Sequence, residues 1–483
     1  MALPSPLMAL PGPRPMPLFG WRGNMVRYFL DPIAYMDSMR ASFGNVVPLA
    51  RGGGGPLMLQ AREAEGTVFA FGPECNQAVL SQMQLFHSVR IHGPSESRPF
   101  ERLTAGLFNM NGEQHRQQRR LMQPAFHKKQ LDGYRDLMVA LTAHTLDRWK
   151  AGETRDLGAE FQRLTLAIAN QTLFGLETTE TVRSLGEHIA EQVSLFLSPG
   201  ARLPAAVPFT PRRRLVAIAA RVEHQLRSLI AEKQRLGTEQ GDVLSTLLAA
   251  REEGGGRLTE DELIGQLFVL FLAGHDTTRS ALSWALFLLS QYPKVMEQLG
   301  DELEGTLRGE PPSVEHLGRL PLLERVLKES LRLFTPAPFI LRLTATPLEL
   351  AGSPLPAGTE VVLSFYHTHR QPELYPEPLR FRPERWEGFS PSPFEYVPFG
   401  GGARMCIGAG FAMMEMKIIL AMLLQRFRVE LAPGARIDRK VQIVLSPKHG
   451  LPMRLLSREQ TVGRSPTPVR GDVHQMVELP GAA

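Results

Sequence analysis

The sequence predicts a mainly α fold with a small β component, an α+β class built as one large domain. Three observations lead there. Apolar residues recur at helical spacing over residues 156–175, 179–196, 212–236, 259–291 and 409–427. Period-two, β-branched patterning clusters after residue 335, over 340–365 around a Pro356-Ala357-Gly358 turn. No stretch between residues 20 and 456 reads as a long linker or an internal repeat, so one domain is expected over 21–456.

The elements follow in order. Residues 1–20 are a proline-rich lead whose six prolines, from Pro4 to Pro17, break any helix. A helical patch and the run Gly52–Gly55 come next. Pro56 follows the glycines and no Lys-Ser/Thr pair does, so the run is a turn and no phosphate loop. Helix is expected over 74–84, irregular chain over 86–106, and helix from Glu113 to Lys150 with an interruption near Pro124. After helices over 156–175 and 179–196, Pro199 to Pro211 is a loop and Arg212 to Leu236 is helical. Thr259 to Gln291 is the longest helix candidate, opened by a Thr259/Glu262 capping box and ended before Pro293. Leu320 to Phe334 is a helix stopped ahead of Pro336, and 409–427 is strongly apolar. Residues 457–483 are polar, contain prolines and show no apolar period, which predicts a disordered tail.

Composition narrows the function. A net charge of +5 is a mild excess without a basic stripe interleaved with aromatics, so nucleic acid is not expected as a partner. The basic cluster Arg116, Arg119, Arg120, Lys128 and Lys129 reads either as a solvated helix face or as a docking patch for an acidic redox partner. Two cysteines, Cys75 and Cys406, argue against a disulfide framework and for a reducing, cytoplasmic location. No signal peptide or membrane anchor is expected, since residues 1–10 are too short to span a bilayer.

The chemistry concentrates at Phe399-Gly400-Gly401-Gly402-Ala403-Arg404-Met405-Cys406-Ile407-Gly408. Here a cysteine follows a glycine-rich loop and opens an apolar helix, whose N-terminus favours a thiolate. One thiolate without further soft ligands cannot build a zinc or iron–sulfur site, but it suits the axial position of a haem. The string resembles the cysteine-loop signature of the cytochrome P-450 family at all five fixed positions: Phe399, Gly402, Arg404, Cys406 and Gly408.

That resemblance extends over roughly residues 12–455. It implies a cytochrome P-450-like domain with haem b (iron protoporphyrin IX) between the long central helix and the cysteine-loop helix. It implies Cys406 as the iron ligand and His115, Arg119, Arg342, Phe399 and Arg404 as cofactor-binding residues. His115 and Arg119, spaced i, i+4, share a helix face. Histidine at position 115 is typical of soluble bacterial members. Ala273-Gly274-His275-Asp276-Thr277-Thr278 is similar to the family's oxygen-activation motif, which makes Asp276 the proton-relay acid and Thr277 the hydroxyl beside the oxygen. A threonine hydroxyl can also bond back to a carbonyl and open the helix there. Glu329, Arg332 and Arg385 match a structural network that holds the cysteine loop, with Trp386 standing where phenylalanine is usual. Pocket-lining candidates are Phe268, Phe271, Ala273 and Phe339, together with parts of 86–106 and 180–215.

The implied activity is a monooxygenase that inserts one oxygen atom from dioxygen into a hydrophobic small molecule of fatty acid, terpenoid, steroid or polyketide type. Peroxide-driven peroxygenase or isomerase chemistry is the alternative, and the Asp276-Thr277 pair argues against it. Electrons are expected from NAD(P)H through a separate ferredoxin or flavodoxin and its reductase, and the protein is expected to be a monomer.

Overall fold

A computed structural model describes residues 7, 9–57, 65–94, 97–175, 180–198, 209–237, 241–250, 257–458, 460 and 466–480. The single domain expected over 21–456 is laid out as two compact units, each discontinuous in sequence. The first comprises Met1–His87, Met138–Arg163 and Thr277–Ala483; the second comprises Ser88–Leu137 and Leu164–Asp276. Helix dominates, as the periodicity predicts. Among the described residues no helix is long and apolar enough to cross a membrane.

The first unit is organised on a five-stranded sheet, in the order Val46–Pro48, Gly66–Phe71, Thr359–Ser364, Phe339–Thr344, Phe86–Ser88. The predicted hairpin region contributes two of these strands, paired antiparallel with Arg342 opposite Val361. The strands Val46–Pro48 and Gly66–Phe71 lie well before residue 335, outside the region where β structure is expected. Gly66–Phe71 is buried at every position, so it lacks the alternation that marks a half-exposed strand. One sheet face carries Val68, Ala70, Val361 and Leu363 and packs on Cys75, Val79 and Leu80 of the helix Pro73–Ser81. The other carries Phe69, Phe71 and Val362 and packs on Tyr28, Tyr35, Met36 and Met39 of the helices Trp21–Leu30 and Pro32–Phe43.

The chain after residue 457 departs from the disordered tail that its composition predicts. Residues 459, 461–465 and 481–483 of that stretch lie outside the described residues, but 466–480 pack on the first unit. Val473, Met476 and Val477 are fully buried. The Glu478 amide donates to the Leu379 carbonyl at 2.9 Å, and the Arg439 amide donates to the Asp472 carboxylate at 2.7 Å. The apolar residues stand at i, i+3 and i+4 within one short helical turn, too brief a signal to emerge from polar flanks.

In the second unit the helices Glu180–Leu197 and Pro211–Leu236 pack against each other, and the latter meets Arg98–Leu103 and Glu260–Gly274. A Cβ added to Gly106 would come within 2.3 Å of the Gly265 carbonyl oxygen, so the backbone approaches that helix as closely as only glycine allows. A wholly buried ion pair, Lys233 Nζ to Asp242 Oδ2 at 2.5 Å, fixes the end of Pro211–Leu236 to the helix Val243–Ala249.

A hydrogen-bonded network at Glu329 lies inside the first unit. Glu329 and Arg332 lie on Pro321–Leu333, a helix whose apolar residues flank them, and both are fully buried. The Glu329 carboxylate accepts five N–H donors: Arg332 Nη2 and Nε at 2.8 and 2.9 Å, the Arg382 amide at 3.1 Å, Arg385 Nε at 3.2 Å and Trp386 Nε1 at 3.0 Å. Burial alone would raise its pKa; Arg332 and Arg385 outweigh that and hold it below the usual carboxylate range. Tryptophan at position 386 therefore adds a donor that phenylalanine cannot supply.

Arg332 also donates to the carbonyls of His369 and Pro378, both at 2.8 Å, and of Arg380 at 3.3 Å. His369, a buried residue absent from the sequence analysis, carries the chain of contacts onward. Its Nε2 accepts from the Val397 amide at 2.9 Å, which leaves the proton on Nδ1 for the Thr335 hydroxyl at 2.9 Å. Burial and the neighbouring arginines push the His369 pKa well below its ordinary value, consistent with a neutral ring.

A second buried carboxyl was also not anticipated. Glu415 lies on Ala409–Arg426, nine residues beyond Cys406, with no exposed surface. Burial pushes its pKa up to about 8, offset in part by the Thr278 hydroxyl beside it.

Two stability predictions follow from these groups. Arg332→Leu leaves Glu329 buried without its main partner and should cost about 3–5 kcal/mol in urea unfolding; a loss below about 1 kcal/mol would contradict the account. Glu415 binds its proton more tightly folded than unfolded, so it makes stability fall as pH rises from 4.5 to about 8. Glu415→Gln should remove that falling contribution, and unfolding midpoints across this range should be flatter than in the parent protein.

Candidate active site

The cysteine loop lies in the first unit, pressed onto the helix Pro73–Ser81. Gly402 has φ +62°, and a Cβ there would sit 2.0 Å from the Leu80 carbonyl oxygen. No other residue type fits so close an approach. A short helical turn, Gly402–Arg404, then delivers Cys406, whose amide donates to the Phe399 carbonyl at 2.9 Å. The Cys406 side chain is exposed, in contrast to the buried Cys75. Gly408 caps the helix that starts at Ala409, so the thiol stands just ahead of a helix N-terminus, as its spacing predicts. Phe399 is half-buried.

Arg342 lies on the strand Phe339–Thr344, on the same sheet face as Ile340, which packs with Val361 and Leu363. It donates to the Leu341 carbonyl at 2.8 Å. Desolvation and the like charge of Arg404 push the Arg342 guanidinium down to about 9. Two cations held together in a low-dielectric place favour an anion between or beside them. Phe339 stands three residues away along the strand, so its side chain falls on the opposite face. There its ring centroid is 6.2 Å from that of Tyr28, in the core under the first two helices. Phe339 is half-buried against that cluster and does not share a face with Arg342.

In the second unit, His115 and Arg119 lie on the helix Gly112–Met122, His115 buried and Arg119 half-buried. The helix start is held by Asn111, which exchanges hydrogen bonds with the Ser88 backbone at 2.8 and 3.3 Å. Its middle is held by Gln118, which donates to Glu262 at 2.9 Å and accepts from Gln266 at 3.2 Å. Gln266 also accepts from the Leu107 amide at 3.1 Å. These glutamines set the rotation of the His115/Arg119 face, yet lone glutamines give no sequence signal.

The expected long helix Thr259 to Gln291 is interrupted. It runs as Glu260–Gly274 and Asp276–Gln291, with the capping box at Thr259 and Glu262 present and a break at His275. Side chains take over at the break. His275 Nδ1 bonds the Phe271 carbonyl at 2.8 Å, the oxygen that the His275 amide would reach in a continuous helix. The Thr165 hydroxyl donates to the His275 carbonyl at 3.2 Å. His275 and Thr165 thus both contribute bonds at the opening. Asp276 and Thr277 follow at once, in the first turn of the second helix, both half-buried. Phe271 is fully buried, its ring 5.3 Å from His275 and 6.4 Å from Phe174, and Phe268 is buried as well. Phe271 packs on these rings within the second unit, and Ala273 is half-buried. Of the remaining pocket stretches, residues 95–96 and 199–208 lie outside the described residues.

This donor set fits an iron porphyrin with two carboxylate arms. An exposed thiol ahead of a helix supplies one soft ligand, and Arg342 with Arg404 supplies crowded positive charge that suits carboxylates. Among the described residues no group of three or more His, Cys, Asp or Glu is placed to hold a metal ion by itself, so a ready-made protein-only site does not compete.

Comparison with known proteins agrees. The sequence pattern of the Cytochrome P450 family matches residues 11–452. Cyclooctatin synthase of Streptomyces melanosporofaciens is 32% identical over 443 residues, 90% of this chain and 93% of its own length. Pentalenene oxygenase of Streptomyces avermitilis is 32% identical over 456 residues, 92% of this chain and 97% of its own length. Cyclooctat-9-en-7-ol 5-monooxygenase of Streptomyces melanosporofaciens is 33% identical over 371 residues, 75% and 81% of the two chains. Among solved structures, retinoic acid-bound cyanobacterial CYP120A1 superposes with a TM-score of 0.79 at 27% identity, over 95% of this chain and all of the other. A match over this much of the chain, joined to the cysteine loop and its buried supports, means that the chain belongs to the cytochrome P450 family of haem-thiolate monooxygenases.

Proposed function

We propose that this monooxygenase oxygenates a neutral terpenoid, with haem b ligated by Cys406 and electrons drawn from NAD(P)H through a separate ferredoxin or flavodoxin and its reductase. The observation that carries the oxygen chemistry is the helix opening at His275, directly ahead of Asp276 and Thr277. The terpenoid reading rests on the relatives, two of which are named for cyclooctatin and pentalenene chemistry.

When bound, the haem supplies iron at which dioxygen is reduced and one oxygen atom is made available for insertion. The residues of the chain have separable tasks. Cys406 donates its sulfur as thiolate, and the Gly402 turn fixes the direction from which it does so. Arg342 and Arg404 would hold carboxylate arms of the group and be relieved of mutual repulsion by them, and His115 and Arg119 would offer donors for carboxylates from their own helix. Asp276 takes protons from water, and Thr277 passes them on through its hydroxyl. Thr278, next to Thr277, lies near the buried Glu415 on the helix that begins beside Cys406.

Three outcomes test this reading. Cys406→Ser should abolish the thiolate-type carbon monoxide band of the reduced protein; an unchanged band would remove Cys406 as ligand. Thr277→Ala should retain the haem while diverting reducing equivalents to hydrogen peroxide, measured as peroxide released per NAD(P)H consumed. Unaltered coupling would remove Thr277 from the proton path. In a Soret titration of the ferric protein, neutral cyclic terpenoids should shift the band toward high spin and long-chain carboxylic acids should not. The reverse result would replace the terpenoid by a lipid acid.

A further inference from the structure

The described residues include ten exposed large apolar side chains, and five of them fall between residues 18 and 30: Leu18, Phe19, Val26, Phe29 and Leu30. Phe29 is 54% exposed and Leu30 80%. On the helix Trp21–Leu30 the exposed positions 22, 26, 29 and 30 stand at i, i+4, i+7 and i+8, which is one continuous face. Leu18 and Phe19 are exposed in the turn just before this helix. The helix cannot roll to hide that face, because its other side is committed. Gly23, Asn24 and Tyr28 are buried, Trp21 and Met25 pack on the sheet core, and the Asn24 amide donates to the Leu49 carbonyl at 3.1 Å.

The charge around this face has one sign. Residues 1–30 contain Arg14, Arg22 and Arg27, all exposed, and no aspartate or glutamate. The first acid, Asp31, is engaged: its carboxylate accepts the Ala34 amide at 3.1 Å and pairs with Arg439 at 2.5 Å. The Arg22 guanidinium lies 5.0 Å from the Trp21 ring centroid.

We propose that this face is a membrane-surface site, on which the helix Trp21–Leu30 lies in the plane of an anionic bilayer. Val26, Phe29, Leu30, Leu18 and Phe19 enter the boundary between headgroups and acyl chains. Arg14, Arg22 and Arg27 meet lipid phosphates. Ten residues are too few to span, so the chain lies on the bilayer and is not threaded through it. A second copy of the chain fits less well, because a twofold contact between two such faces brings like arginines together. The inference is independent of the substrate assignment.

The test is flotation of the full-length haem-loaded protein with vesicles of phosphatidylcholine, alone or mixed with phosphatidylglycerol, at low ionic strength. The protein should float with the mixed vesicles and much less with phosphatidylcholine alone. Phe29→Asp/Leu30→Asp should lower partitioning about tenfold or more, and Arg22→Glu/Arg27→Glu should lower it on the mixed vesicles, both with the carbon monoxide spectrum intact. Failure of the parent protein to float overturns the proposal, as does equal flotation of both variants. A lipid-free dimer dissolved by Phe29→Asp/Leu30→Asp would assign the face to a second copy instead and also overturn it.

Discussion

Everything on the thiolate side of the first unit depends on one desolvated carboxylate. Glu329 has no exposed surface, so its charge is tolerated only because five N–H donors converge on it. Those donors come from its own helix and from the Arg382–Trp386 stretch, which fixes that stretch against the helix. Arg332 then spends its remaining N–H groups on the carbonyls of His369, Pro378 and Arg380. His369 holds Val397 in turn, two residues ahead of Phe399. The glycine-rich loop inherits its position from this relay, since a loop of Gly400, Gly401 and Gly402 has little stiffness of its own.

The second constraint is backbone accounting. A buried helix that opens must find partners for the groups it releases. At His275 they are found in the imidazole of the same residue and in the Thr165 hydroxyl. The break is therefore a stable feature with both sides satisfied, and it resets the helix so that Asp276 and Thr277 occupy a first turn. A first turn is a place where an acid and an alcohol are favoured by the helix dipole.

Residues whose chemistry is local were legible in the sequence. Cys406 with its glycines, the Asp276-Thr277 pair and Glu329 with Arg332 each declare themselves within ten residues, and the capping box at Thr259 does the same for a helix start. Residues whose role is set by a distant partner were not. Gln118 and Gln266 are 148 positions apart, His369 and Val397 are 28 apart, and Glu415 is a single acid in an apolar helix. The sheet face that Phe339 takes was not legible for a related reason. The face a strand residue takes depends on register, and a shift by one position exchanges the two faces. The buried strand Gly66–Phe71 and the packed turn at Asp472–Gln475 carry too few residues, or too uniform a pattern, to reveal a period.

The packed residues near position 476 add a temporal dimension to this architecture. Glu478 hydrogen bonds to Leu379, and Arg370 donates to the Met476 carbonyl at 3.3 Å, so the segment that presents carbonyls to Arg332 is backed from outside by chain made after the thiolate loop. Some 70 residues separate Met476 from Cys406. At roughly 5–20 residues per second on the ribosome, that is an interval of several seconds. During it the thiolate loop is already synthesised while its outer brace is not, so the brace closes only on a loop that has been made before it.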